Sequence, residues 1–187
     1  TAYTLEKQKA FLGSDLTLAL AYQNTKESRH NRRFSNYNLQ HREENVNLYS
    51  FSTDLSRKFT KGELFYGFES YFETLQSTAY AQNSNTGEQN GLDTRYPNGD
   101  NNMFRNDIYI SYTEKTTPKT AWSAGGRLGY TTLNSNIADD TYFPLPFSAI
   151  KQGNFTYSGS LGIVHKTSQN VALKANISSG FRVPNID

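Results

Sequence analysis

Residues 15–23 read Asp-Leu-Thr-Leu-Ala-Leu-Ala-Tyr-Gln. Leu16, Leu18, Leu20 and Tyr22 fall on one side of an extended chain. Asp15, Thr17, Ala19, Ala21 and Gln23 fall on the other. A strand places successive side chains on opposite faces, so this alternation predicts a β-strand with one oily and one wet side. Working outward, the pattern returns. Tyr49, Phe51 and Leu55 oppose Ser50, Ser52, Asp54 and Ser56; Leu64, Tyr66, Phe68 and Phe72 oppose Gly67, Glu69 and Glu73, with Phe65 and Tyr71 breaking the rule. Ile108, Ile110 and Tyr112, then Trp122, Ala124, Leu128 and Tyr130, then Tyr157, Leu161 and Ile163, then Val171, Leu173, Ala175 and Ile177 continue it. A less regular strand is expected over 3–11. That makes about eight strands in an all-β antiparallel meander.

The connections alternate in length. Short turns are expected at 13–14, 60–62, 114–119 and 167–170, and long loops at 35–43, 78–103 and 134–153. Short turns imply antiparallel hairpins. Short turns at one end and long loops at the other, with Tyr, Phe and Trp near the strand ends, is the plan of a transmembrane β-barrel with aromatic girdles. Several runs exceed ten residues, close to the 9–11 or so that a tilted membrane strand needs and longer than the usual ~5–6 of soluble strands. The alternative is a soluble β-sandwich, for instance a carbohydrate-binding module, in which the oily faces meet each other.

Composition fits a chain without a large dry core. Of 187 residues 35% are hydrophobic and 14% aromatic, with 13 Tyr and 12 Phe. The net charge of +2 is too small to mark a nucleic-acid binder; the one dense basic cluster, Arg29, His30, Arg32 and Arg33, reads as a solvated strand end. With no Cys there is neither a disulfide scaffold nor a thiolate metal site. No apolar run is long enough for a membrane helix, which a barrel would not show anyway. The first residue is Thr1, with no Met and no secretory leader, so a processed chain or an internal excerpt is expected.

The C-terminal stretch 173–187, LKANISSGFRVPNID, resembles the barrel wall of TonB-dependent receptors, where a strand runs into a Gly-Phe-Arg-x-Pro-Asn box. Gly180, Phe181, Arg182, Pro184 and Asn185 match that box position by position. GSLGIVH at 159–165, GGRLGY at 125–130 and TRYPNG at 94–99 are similar to segments of the same family, in the same order, and the Asn-Ile-Asp ending resembles receptors of the Bacteroidetes type. The resemblance implies a 22-stranded outer-membrane barrel closed by a plug, in which energy coupled through TonB drives uptake of a scarce nutrient, a siderophore-, haem- or cofactor-like ligand. Neither plug nor TonB box is visible, so 1–187 is expected to be an internal part of the barrel wall. The implied partners are outer-membrane lipid, TonB through the plug, and a small-molecule or metal-chelate ligand; no resident cofactor is expected.

Candidate chemistry is sparse. Glu69 and Glu73, four residues apart on one strand face, lie about 13 Å apart, too far for paired acid–base work, and with Arg127 they read as lumen-facing charges in water. His30, His41 and His165 show no metal-ligand spacing. Haem relatives place a contacting His after such a box, which would fall beyond residue 187. Asp93, Asp100 and Asp107 lack the ligand rhythm of a calcium loop. No nucleophile elbow is present, so an enzyme is not expected. Arg95 and Tyr96 in one long loop, and Tyr142, Phe143 and Phe147 in another, are the candidate ligand contacts; the alternative for the second set is packing on the barrel rim. Arg182 could hold an anion or pair with a structural carboxylate.

Overall fold

The computed structural model describes residues 1–142 and 144–183. Its strands are β1 (Ala2–Phe11), β2 (Ser14–Asn31), β3 (Asn38–Lys58), β4 (Gly62–Asn83), the short β5 (Gln89–Gly91), β6 (Asn101–Thr117), β7 (Thr120–Asn136), β8 (Ala149–Lys166) and β9 (Ala172–Ser178). Each long strand pairs antiparallel with the next, in the order β1-β2-β3-β4-β6-β7-β8-β9, and β5 adds to β4. No helix among the described residues is long and apolar enough to cross a membrane, which says nothing of strands.

The sandwich alternative does not hold. Every strand belongs to one sheet, and no second layer among the described residues covers the oily rows. Register aligns those rows across the whole sheet. One runs Leu18, Thr53, Phe68, Ile108, Leu128, Tyr157; the next runs Leu16, Leu55, Tyr66, Ile110, Gly126, Gly159. Ile108 and Ile110 are each 55% exposed, whereas the opposite face buries Glu44, Ser77, Asn101, Asp107, Thr131, Ser135 and Thr156. Leu75 and Leu133 are the only buried hydrophobic side chains among the described residues. A sheet with a crowded polar face and a bare apolar face is an inside-out arrangement that only an apolar surrounding stabilises.

Aromatic rows bound the apolar face. Tyr22, Tyr49, Phe72 and Phe104 form a ladder with ring centroids 4.9, 6.3 and 6.3 Å apart. At the other edge Phe59, Tyr112 and Trp122 are spaced 6.3 and 5.5 Å apart. Trp122 pairs with Glu114, ten residues along β6 from Phe104. At about 3.3 Å per residue and a tilt of about 40°, the band is about 25 Å tall, the height of the apolar belt of an outer-membrane barrel.

The less regular strand expected over 3–11 is present, and its irregularity has a cause; the long loops depart from expectation. The irregular stretch 3–11 is a strand with a bulge: register shifts between Lys7 and Phe11, Lys9 has φ 50°, and the Lys9 amide donates to Asp15 Oδ1 at 3.0 Å. From Lys7 to Phe11 the chain takes four steps against two on β2, so two residues are extra and Phe11 returns to the face of Leu5. Leu12 and Gly13 then turn the hairpin with φ 49° and 75°, the double positive φ of a type I′ turn. The long loops, in turn, are shorter than expected, because β2, β3 and β4 continue nine to eleven residues past the Tyr22, Tyr49 and Phe72 row. Both faces of those extensions are mostly polar, with Val46, Leu48 and Leu75 among the exceptions, so the alternation fades although the ladder persists.

Candidate functional site

Two polar assemblies lie on the polar face. The first is at mid-sheet. Gly67 lacks a side chain, so the Tyr109 ring lies across β4, and its hydroxyl reaches Asp54; a Cβ on Gly67 would sit 2.5 Å from the Tyr109 oxygen. Arg127, adjacent to Tyr109 across β6 and β7, stacks over that ring at 5.5 Å and donates to Glu69 at 2.5 Å. One step along, Arg105 covers the Tyr71 ring at 4.3 Å and pairs with Asp107 at 3.2 Å. Asp107 is 2% exposed and leans over Gly129 toward Thr156. A buried carboxylate needs such a partner, since desolvation alone would cost several kcal/mol, of order 5. The assembly holds charge in a fixed pattern, and the exposed edge of Arg127 and Arg105 remains open to solvent.

The second assembly is at the long-loop end, where the segment after β5 folds back over the polar face. Arg42 donates to the Asp93 backbone oxygen at 3.3 Å and to its carboxylate at 3.0 Å. Arg95 lies 3.7 Å from Glu27 and 5.1 Å from the Tyr96 ring centroid. Asn101, buried, donates to the carbonyls of Leu75, Pro97 and Gly99. Asn98 staples this segment to the next loop: its Oδ1 accepts from the Ala138 and Asp139 amides, and its Nδ2 donates to the Asp139 carbonyl at 2.7 Å. Asp139 in turn accepts from the Thr141 amide and hydroxyl, which hold its carboxyl below the ordinary carboxylate value. Arg29, beside Glu27, is held above the ordinary arginine value by that carboxylate.

Between the two loops is a recess of about 360 Å³. Leu92, Pro97, Ile137 and Leu145 give it an apolar lining; Asp93, Arg95, Tyr96, Asn98, Asp139 and Tyr142 add polar groups. Tyr142 packs where Gly91 leaves room, its hydroxyl 2.8 Å from the position of a Cβ there. A concave site with an apolar lining and a few convergent polar groups suits a small ligand.

Arg95, Tyr96 and Tyr142, read from two separate loops, thus line one recess. Phe147 is 45% exposed and outside it. Phe143 lies outside the described residues, as do Pro184 and Asn185. Gly180, Phe181 and Arg182 follow β9 as exposed chain without strand pairing. Glu73 faces the same side as Glu69, opposite Leu48 and Met103. Asp93, Asp100 and Asp107 are held in separate places, and among the described residues no group of three or more His, Cys, Asp or Glu could hold a metal ion. Nothing in the chain's pattern singles out Asn98 as the staple between loops, beyond the Pro-Asn-Gly turn signal that contains it.

One antiparallel sheet with an aromatic-bounded oily face and a charged inner face is the wall of a transmembrane β-barrel. The chain belongs to the TonB-dependent receptor-like β-barrel family, whose model matches residues 1–187. That family consists of transport receptors, not enzymes, and resides in the outer membrane of Gram-negative bacteria. Among solved structures the copper transporter OprC superposes with a TM-score of 0.82 at 10% identity, covering 98% of this chain. This chain spans 30% of the length of that transporter, and at such identity the likeness concerns the fold alone. A search of curated protein sequences finds no match.

Proposed function

We propose that this chain is part of the barrel wall of an outer-membrane receptor that takes up a scarce nutrient by TonB-energised transport. The polar face lines the lumen, where Glu69, Glu73, Arg105 and Arg127 meet water or a plug carried elsewhere in the protein. The long-loop end faces outward from the cell, and the complete barrel has 22 strands. The ligand is a small chelate of siderophore, haem or cofactor type, bound first in the recess of Arg95, Tyr96 and Tyr142. The single observation that carries this reading is that two loops, distant in sequence, meet over the polar face at the open end of a lipid-facing wall and enclose a recess there.

The mixed lining favours a ligand with an apolar body and an anionic or polar edge: Arg95 supplies a planar cationic fork and Tyr142 an aromatic surface. The test is uptake by cells carrying the full-length receptor, supplied with a panel of radiolabelled iron-siderophores, haem and corrinoid. One ligand should accumulate in a manner that needs both the receptor and TonB. Arg95→Ala and Tyr142→Ala should each raise the half-saturating concentration about tenfold, as loss of one good contact does. No receptor-dependent accumulation of any ligand in the panel would overturn the proposal.

A further inference from the structure

Past the aromatic row the β2–β3 hairpin leaves the apolar band. Its outward positions carry Asn24, Lys26, Ser28 and His30, opposite Asn47, Asn45, Glu43 and His41. His30 and His41 are direct cross-strand partners, eight residues beyond Tyr22 and Tyr49, or about 26 Å along the strands. Their Nδ1 atoms approach to 2.8 Å, with the rings at 71°. Tyr80, the next residue across on β4, stacks on His41 at 4.6 Å and 8°, which fixes that ring's orientation. The far nitrogen of His41, Nε2, is buried without a hydrogen-bond partner. The side of the ring open to a ligand is therefore the one turned to His30.

The contact is a hydrogen bond in which one Nδ1 donates to the other; loss of that proton leaves two imidazole lone pairs turned to the same gap, the donor pair that a borderline-soft cation takes. With metal–nitrogen bonds of about 2.0–2.1 Å, two cis ligands lie about 2.9 Å apart at a right angle and about 3.4 Å apart at the tetrahedral angle. The observed separation is within a few tenths of an ångström of that range. The full register of β2 with β3 and of β3 with β4 holds both backbones in place, so little ordering remains to be done on binding. Glu43, two positions from His41 on the same face, adds negative charge to that row.

We propose that His30 and His41 form a two-nitrogen chelate for a divalent transition-metal ion, Zn2+ or Cu2+, on the outward face of the β2–β3 hairpin, with water completing the coordination shell. Imidazole suits both ions, and Cu2+ binds nitrogen sites more tightly than the other first-row divalent ions. The site is on the opposite face of the hairpin from Arg29 and Arg42, and it does not depend on what the recess takes up.

The experiment uses the full-length receptor, purified in detergent, freed of metal with a chelator and titrated with Cu2+. The wild type should bind one more Cu2+ than the His30→Ala/His41→Ala double variant, and its electron paramagnetic resonance spectrum should show coupling to two imidazole nitrogens. Each single variant should lose that coupling and bind about tenfold more weakly, while Tyr80→Phe should keep it. Heat-modifiable migration on gels confirms that each variant is folded; should an alanine variant fail it, His30→Gln, which keeps the cross-strand bulk, takes its place. Equal Cu2+ stoichiometry and identical spectra for the wild type and a folded variant would overturn the assignment, as would a wild type that takes up no Cu2+.

Discussion

Ile110→Arg puts a charge on the exposed apolar face, which the proposed barrel wall turns to hydrocarbon. Ile110 is on the apolar face of β6, opposite Tyr66 and Gly126, and is 55% exposed. It lies four residues from Glu114 at one edge of the band and six from Phe104 at the other, which is about 10 Å and about 15 Å of depth after tilt. A position so near the midplane should cost about 2–4 kcal/mol for arginine, against about 0–1 near an edge. Tyr112→Arg, nearer the edge, should therefore cost less than Ile110→Arg. Ser52→Arg, on the polar face in the same sheet, should be within about 0.5 kcal/mol of wild type. The assay is reversible guanidinium unfolding of the full-length barrel in lipid vesicles, followed by tryptophan fluorescence. Equal costs at positions 110 and 52, or the reverse order, would refute the assignment of the faces, because a soluble sheet has no depth on which the penalty could depend.

Glycine positions give a second contrast: Gly129→Ala should destabilise by about 1–3 kcal/mol, since its Cβ would collide with Asp107 Oδ1, whereas Gly126→Ala, with nothing nearer than 3.8 Å, should be close to neutral in the same unfolding assay. A double-mutant cycle on Glu69→Gln and Arg127→Met should return a coupling of about 1 kcal/mol, measured by the difference in unfolding free energy; zero coupling would mean the pair is solvated and incidental. Asp139 titrates below its ordinary value of 3.8 because Thr141 donates to it, so the loop contact it supports is fully present above that value and is lost only as pH falls through the depressed one. Thr141→Val should move the Asp139 titration upward, as followed by carboxyl carbon NMR.

Much of the wall was legible because lipid reads one face at a time. Leu16, Leu18, Leu20 and Tyr22 alternate with polar neighbours because one side of the strand is apolar and the other is wet. The same cause explains what was missed. Beyond Tyr22 and Tyr49 both faces are mostly polar, so residues 24–31 and 38–47 carry no alternation, and 38–43 of them read as loop, although the backbone ladder is complete. The bulge at Lys9 leaves only an irregularity in the sequence, and its positive φ falls on a residue that gives no warning of it. At the recess, Arg95 and Tyr142 were legible as residue types suited to ligand contact. Their meeting depends on Asn98 bridging to Ala138 and Asp139, 40 and 41 positions further along the chain, a distance no local pattern spans. The His30–His41 contact is hidden for a related reason: 11 positions separate them, and only the register of the hairpin makes them neighbours.

Alternation decides which side of a strand meets lipid, but it is blind to a slide of two residues, which leaves every oily side chain outward. The tyrosines laid across glycines are not blind to it. Tyr112 over Gly62, Tyr109 over Gly67 and Tyr130 over Gly153 each need a bare backbone at one place on the neighbouring strand. Slide the strand by two and the ring strikes a side chain, while the vacated glycine leaves a gap. Each pair works as a key and its lock, so the two positions should drift together over evolutionary time, and a chain that exchanges one member alone should misthread during insertion.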